Sequence, residues 1–490
     1  MASNVDPIVQ QIQQDFQALL TYVTGPQSHT LTAATVELTL FRRLLAVGAA
    51  LLRLFFLTRT ALRPPAPQLA PAQPPLPYHD RRPVSYYSVF GKLAVARHYF
   101  YAAGVGGCCP VDAALSLPPR CYSDLLREWA GYDGTDGAYR ETATTLERIL
   151  GLDLSIQALE TIVQDDAADV IAFYAQPPDP AAPAPLGSIL VAQADGKGVP
   201  MVQPASAPPS LRLGKGQKRT KKKEAIVTSL YTIAPYVRTP QEVLAALLHE
   251  LRPADPAQRP CPVQKELRAT LDGKAIAVTR LAQRAALREG AQIRDRVALT
   301  DGAEALQEKM LTHLAAYTLV LDIIHASEYL WDAANALLGE THPERTPWVR
   351  THLAQILHGE TDAVIASLEQ TASAAGLSAA QVQALHKTIG YYRRNRAYMR
   401  YDVYLARGWP IGTGVVEGAC GHLVKDRLEQ AGMRWTHEGA QAMLDLRAVR
   451  LSGDWDAYWR FHRQQQHERL YGSATAASGS VEAQVLQLAA

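Results

Sequence analysis

The chain has 490 residues, 48% apolar and 20% charged, with a formal net charge of +2. At roughly 100–200 residues per domain, that length suggests two to four domains with ample material for a core. The near-neutral charge singles out no partner, so local charge has to decide; five cysteines, an odd number with no C-x-x-C pair, exclude a disulfide framework or zinc ribbon and fit a reducing cytosol.

Residues 1–62 read as a helical segment with a break near Gly25-Pro26 and no signal peptide. Within it, 37–57 is strongly apolar, but Arg42, Arg43 and Arg53 interrupt it. A membrane helix needs about 20 apolar residues, so an amphipathic or buried helix is expected and no membrane is implied. Residues 63–84 are proline-rich and read as an extended linker. Residues 85–104 alternate aromatic and polar positions, as two strands paired through a turn at Gly91 would. Short helices follow to residue 176, with Ser123, Thr135 and Ser155 placed as N-caps. The region 85–176 suits a helix-turn-helix DNA-binding module, and equally any small helical domain.

A second proline-rich linker, 177–187, precedes a change of pattern. SILVAQAD (188–195), AIVTSLYTI (225–233), RVALTD (296–301) and YTLVLD (317–322) read as strands, three of them ending in an acid. With helices at 240–251 and 303–316, they define an α/β region over 188–322. Residues 323–405 are helical, 408–414 form a loop, and 415–432 read as one helix stopped at Gly432. Residues 406–472 are assigned to the same core as 188–322, and 473–490 read as a disordered tail.

The chemistry concentrates on three acids. Asp195 and Asp301 each follow an apolar strand and precede a glycine, which puts them at the sheet edge where ligands of α/β proteins lie. Glu417 stands in the first turns of a helix after a glycine-rich loop. Three carboxylates from separate elements suit a pair of Mg²⁺ or Mn²⁺ ions, the equipment for phosphodiester hydrolysis and strand transfer. Singly, each has a plainer reading: an Asp-Gly turn for the aspartates, a helix-dipole partner for the glutamate.

Several stretches resemble one group of bacterial transposases, the ISKra (numeral four) insertion-sequence family. They are ADGKGVPM (194–201), RLGKGQKRTKKKEAIVTSLYTI (212–233), LTDGAEALQ (299–307), YTLVLDIIHASEYLWDAA (317–334) and YDVYLARGWPIGTGVVEGACGHLVKDRLEQAGMRWT (401–436). PVDAALSLPPRCYSDLLREWAGY (110–132) resembles the family's N-terminal region. The resemblance implies a DDE transposase with an RNase H-like mixed-sheet core, an all-α insertion over 323–405, and a mainly helical N-terminal DNA-binding region. It implies Asp195, Asp301 and Glu417 as the catalytic, metal-holding acids with two Mg²⁺ ions. Asp322 is the rival for the second acid, and Asp322 with His325 is expected beside the site. Double-stranded DNA, a homo-oligomer on DNA and a cytoplasmic, nucleoid-associated setting follow. An RNase H-like nuclease without strand transfer, an inactive DNA-binding relative, and a separate helical domain in place of the insertion stay open.

For DNA contact, the basic cluster Lys215, Lys218, Arg219, Lys221, Lys222 and Lys223 sits on the loop between the first two core strands. Lys425, Arg427 and Arg434 follow Glu417, with Trp435 placed either to stack on an unpaired base or to fill a core. YYRRNRAYMRY (391–401) interleaves aromatics with arginines, which suits a nucleic-acid surface or packing inside the helical region. Cys108-Cys109 implies no zinc.

Overall fold

The computed structural model describes residues 6–69, 73–178, 185–203, 222–250, 259–430 and 432–472. They form two compact units: residues up to Asp169 with those from Asp456 onward, and Val170–Trp455. The division falls ahead of the second proline-rich linker. It also gives the last helix, Trp455–Tyr471, mostly to the first unit, whereas the sequence assigns residues 406–472 to the acid-bearing core. Residues 179–184 of that linker and the expected tail from 473 lie outside the described residues.

In the first unit, helices Asp6–Thr24 and Ala33–Thr60 are separated at Gly25-Pro26, as expected. Thr32 caps the second, its hydroxyl accepting from the Thr35 amide. Strands β1 (Tyr78–Ser88) and β2 (Gly91–Ala102) form the hairpin, and Gly91 turns it at φ +120°. The first strand starts inside the proline-rich stretch, and β3 (Gly106–Cys108), which its glycines concealed, adds to β2. Phe56, Val95 and Leu117 are the buried centre of this region.

Helices Asp124–Gly134, Tyr139–Leu150 and Ile156–Asp166 follow. Ser123 and Ser155 are N-caps, each accepting a backbone amide three residues on. Thr135 is instead the C-cap of its helix, and its hydroxyl donates back to the Tyr132 carbonyl. The last helix joins these through a buried polar network. Arg127 pairs with Asp166, the Tyr458 hydroxyl donates to the Asp166 carbonyl, and His462 Nδ1 lies 2.7 Å from Asp169. Burial opposes charge on Asp169, yet hydrogen bonds from His462 and Arg469 hold its carboxyl down at about 2. Side chains that cannot be buried alone are thus buried together.

The second unit is built on a mixed sheet of five strands: β4 (Ser188–Pro200), β5 (Lys222–Ile233), β6 (Val263–Thr270), β7 (Ile293–Thr300) and β8 (Thr318–Leu321). The order is β6-β5-β4-β7-β8. β5 runs against both of its neighbours, while β4, β7 and β8 are parallel. Ile189, Val191, Val297 and Leu299 face one side, and Leu190, Ala192, Ala194 and Ala298 the other. Burial on both faces explains why the central strands read as continuous apolar runs.

Helices Lys274–Leu287 and Glu304–His313 cover one face. The other carries the helical stretch, beginning with Ile323–Leu338 and including Ala379–Asn395. Its Leu330, Leu353, Leu385 and Tyr392 belong to one buried cluster with the sheet residues. The helices are therefore part of the sheet's own core. No helix among the described residues is long and apolar enough to cross a membrane.

Two elements differ from expectation near the acids. β4 does not stop at Asp195 but continues to Pro200, paired with β5 through Asp195↔Val227 and Pro200↔Lys222. The expected helix 415–432 is interrupted: an α-helical turn, Gly414–Ala419, passes into a π-helical stretch, Cys420–Lys425, and ends in Asp426–Leu428. Gly432 lies in the left-handed region at φ +79°.

Candidate active site

Strand register brings the two strand-borne aspartates level. The β4–β7 pairing ends at Gln193↔Leu299, so Asp195 and Asp301 stand two residues further on, where β7 leaves the sheet. Beyond that point β4 is paired only with β5. The next parallel strand, β8, delivers Asp322 beside them, its amide donating to the Thr300 carbonyl at 2.8 Å. All three aspartates therefore emerge at the C-terminal ends of parallel strands or their continuation.

Each is held differently. Asp195 Oδ1 accepts from the Gly196 amide at 2.6 Å, and Oδ2 accepts from the Cys420 thiol at 3.3 Å. Asp301 Oδ1 accepts from the Ala303 amide at 2.8 Å, an Asx-type turn, and no other hydrogen bond engages its carboxylate among the described residues. Asp322 is fully buried. Its Oδ1 accepts from the Thr413 amide at 3.1 Å, and its Oδ2 from the His325 amide at 3.0 Å, with His325 Nδ1 at 2.6 Å.

Glu417 arrives from the far side of the chain. Thr413 Oγ1 donates to its Oε1 at 2.5 Å, and His325 Nδ1 lies 3.8 Å from the same oxygen. Oxygen or nitrogen atoms of Asp322, His325 and Glu417 all lie within 4.8 Å of one another, close enough to share an ion. The chemistry favours an ion pair instead. Both Asp322 oxygens already accept N–H donors, Oδ2 two of them and Oδ1 one. The hydrogen bond to Asp322, against opposing burial, lifts His325 to about 9, so its imidazole is cationic at neutral pH. That cation offsets the crowding of Asp301, Asp322 and Glu417 in the metal-free protein.

Gln193 and Cys420, which the sequence reading passed over, tie the site together. Gln193 is fully buried between Asp195's strand and the Glu417 turn. Its Oε1 accepts from Ser229 Oγ and from the Val416 amide, both at 3.0 Å, while Nε2 donates to the Gly412 carbonyl at 3.3 Å. It thus pins the loop and first helical turn that carry Glu417. Cys420 is one turn beyond Glu417, where the π-helical stretch begins; burial, then the Asp195 charge, push its thiol far up, so it stays a neutral donor. Helical widening of this kind recurs at functional sites because it re-aims side chains.

The helical stretch braces the strand ends. The Tyr391 hydroxyl donates to the Asp301 carbonyl at 2.7 Å, Tyr401 to Leu321 at 3.0 Å, and Tyr392 to Ala326 at 2.7 Å. Tyr391 also stacks on Tyr329 at 3.8 Å. The aromatic positions of YYRRNRAYMRY are therefore largely packing residues, while Arg393 and Arg396 pair with Glu369 and Asp362. Gly302 is required here on two counts. Its φ is +83°, and a Cβ would stand 2.9 Å from the Tyr391 hydroxyl and 3.0 Å from Leu321. Gly302→Ala is expected to cost about 2–4 kcal/mol in urea unfolding, from the left-handed backbone plus overpacking; a loss below half that would mean the Asp301 turn is loosely held.

Of the basic residues, Lys215, Lys218, Arg219 and Lys221 lie outside the described residues. Lys222 and Lys223 open β5, exposed, against Glu429 at 2.9 Å and His437 at 3.1 Å. Lys425 and Arg434 are exposed. Arg427 and Trp435 are not available to DNA: Arg427 is fully buried with its guanidinium 5.0 Å from the Trp435 ring. Trp435 bridges the end of β4, its amide donating to the Pro200 carbonyl at 3.1 Å and its indole to Leu428 at 3.1 Å. A cation over an aromatic face served the core here, not a phosphate. No protein-family model and no curated protein matches the chain.

Proposed function

We propose that the chain is a DNA transposase of the DDE type, with an RNase H-like core in which Asp195, Asp301 and Glu417 hold two Mg²⁺ or Mn²⁺ ions. The observation that carries this reading is the register of β4 and β7, which sets Asp195 level with Asp301 while the Cys420–Asp195 contact draws the Glu417 helix to the same strand. The sheet supports the RNase H-like assignment: in chain order its strands lie third, second, first, fourth, fifth, with the second reversed.

The donor set fits hard divalent cations. It is all carboxylate oxygen; Asp301 and Glu417 each engage one oxygen in a hydrogen bond, and each Asp195 oxygen accepts one donor, Oδ1 the Gly196 amide and Oδ2 the Cys420 thiol, a weak donor, which leaves lone pairs for an ion. Asp322 suits a supporting role, since it is fully buried and its carboxylate already accepts three N–H donors. Bound ions would supply Lewis acidity and an activated water or 3′-hydroxyl. The protein's part is to fix the acids: Gln193 and Thr413 set Glu417, the Ala303 amide sets Asp301, and Gly196 and Cys420 set Asp195. Exposed Lys222, Lys223, Lys425 and Arg434 supply phosphate contacts, whose loss weakens binding uniformly and lowers its salt dependence.

The test is an assay on linear DNA carrying the sequences that flank the reading frame at both sides, with a supercoiled target. Cleavage exposing 3′-hydroxyls and joining of those ends to the target, dependent on Mg²⁺ and abolished by chelation, is the expected result. Metal-dependent nicking without joined product would leave a nuclease; no metal-dependent processing at all would overturn the reading.

A further inference from the structure

The helix Ala33–Thr60 shows an apolar face that the first unit leaves about half exposed, with Phe90 laid over its midpoint. Phe41, Leu44, Gly48, Leu51 and Phe55 recur in steps of three and four, the spacing of a helix–helix seam. They lie within about 80° of one another at 3.6 residues per turn. Phe41 is 41% exposed, Leu44 51%, Leu51 50% and Phe55 46%. Gly48 marks the midpoint, where the ring of Phe90 from the hairpin turn lies so close that a Cβ would meet it at 2.6 Å; Phe90 is itself 40% exposed and continues the face.

We infer that this face is the seam of a homodimer in which two copies of the Ala33–Thr60 helix lie antiparallel and cross where the Phe90 ring covers Gly48. The pattern is self-complementary. Phe41 and Phe55 lie equally far from Gly48, so an antiparallel partner sets each against the other. Glu37 and Arg59 also lie equally far from it and on the same face, so each Glu37 meets Arg59 of the partner. Among the described residues neither has an ion pair within its own chain. The nearby cations are turned elsewhere: Arg42 donates to the Arg148 carbonyl at 2.9 Å, and Arg43 sits over the Tyr22 ring.

Size agrees with a second copy. Five large side chains about half exposed present roughly 400 Å² of apolar surface per copy. A stable interface buries about 800 Å² per partner, a little over half of it apolar. A lipid surface fits less well, because Glu37 lies on the face where an interfacial helix carries cations or apolar groups. The inference does not depend on the catalytic reading.

Sedimentation equilibrium of the full chain tests it. Wild type should be a dimer. Leu51→Glu, an exposed change that leaves the core untouched, should weaken association at least about tenfold, 1.4 kcal/mol or more, with an unchanged circular dichroism spectrum. Glu37→Arg and Arg59→Glu should each weaken it, and the double exchange should restore it. A monomeric wild type, a dimer indifferent to Leu51→Glu, or a double exchange no better than the singles would overturn the proposal, as would monomeric wild type binding to lipid vesicles.

Discussion

Asp301→Asn should abolish metal-dependent strand cleavage while leaving the fold about as stable as before. The residue is half-exposed at the end of β7, its Oδ1 held by the Ala303 amide, which an asparagine carbonyl can equally accept. Its charge lies beside the acids Asp322 and Glu417 and also beside the His325 imidazolium, which it helps to stabilise. Removing it in the metal-free protein gives up repulsion from the acids and attraction to the imidazolium together, so the two changes largely cancel. With metal the loss is one-sided, because an ion needs that charge. The rate of end cleavage should fall by at least about 10²–10³-fold, some 3–4 kcal/mol of barrier. In a thermal scan, Mg²⁺ at ten times its dissociation constant should stabilise wild type by roughly 1.4 kcal/mol and the variant by far less. Asp195→Asn and Glu417→Gln should behave alike. If the three variants kept wild-type cleavage, or if Mg²⁺ protected all four proteins equally, the acids would not be the metal site.

The sequence exposes these acids because two of them punctuate strands. β4, β7 and β8 are buried on both faces, so their apolar runs are continuous and their ends conspicuous. The same cue misleads where the chain stays extended after the acid: Gly196-Lys197-Gly198 has the composition of a turn, yet it is strand, because β5 supplies partners as far as Pro200. β6 escapes notice for the opposite reason. VQKELRAT is a sheet edge, half of it solvated, and carries no apolar run. Thr135 has the right residue type and neighbourhood for an N-cap, but the helix that follows starts after Ala138. Least legible are residues whose role is a long-range contact. Nothing local marks Gln193 as the anchor of the Val416 amide, or Cys420 as the donor to Asp195. Arg427 and Trp435 show the limit of residue type: an arginine beside a tryptophan describes a nucleic-acid surface and a buried pair equally well.

Asp322→Ala should be among the most destabilising single changes in the second unit, and His325 should report why. The Asp322 carboxylate accepts three N–H donors: the Thr413 amide of the Glu417 loop, the His325 amide as N-cap, and His325 Nδ1. Removing it leaves the Thr413 and His325 amides without their acceptor and takes from the half-buried imidazolium its nearest counter-charge, Glu417 standing further off at 3.8 Å, a loss of about 3–5 kcal/mol. Asp322→Asn, which retains one acceptor oxygen, should fall between. The pH dependence separates a charge effect from a packing defect. The folded protein holds His325 at about 9, above the ordinary 6.5. A raised folded value means that this pair stabilises fully below pH 6.5 and progressively less as pH rises through 9. In chelator, therefore, the stability difference between wild type and Asp322→Asn should be largest near pH 6 and should shrink toward pH 9. A difference constant across that window would mean that Asp322 acts as a neutral cap, and that His325 contributes no cation to the acid cluster.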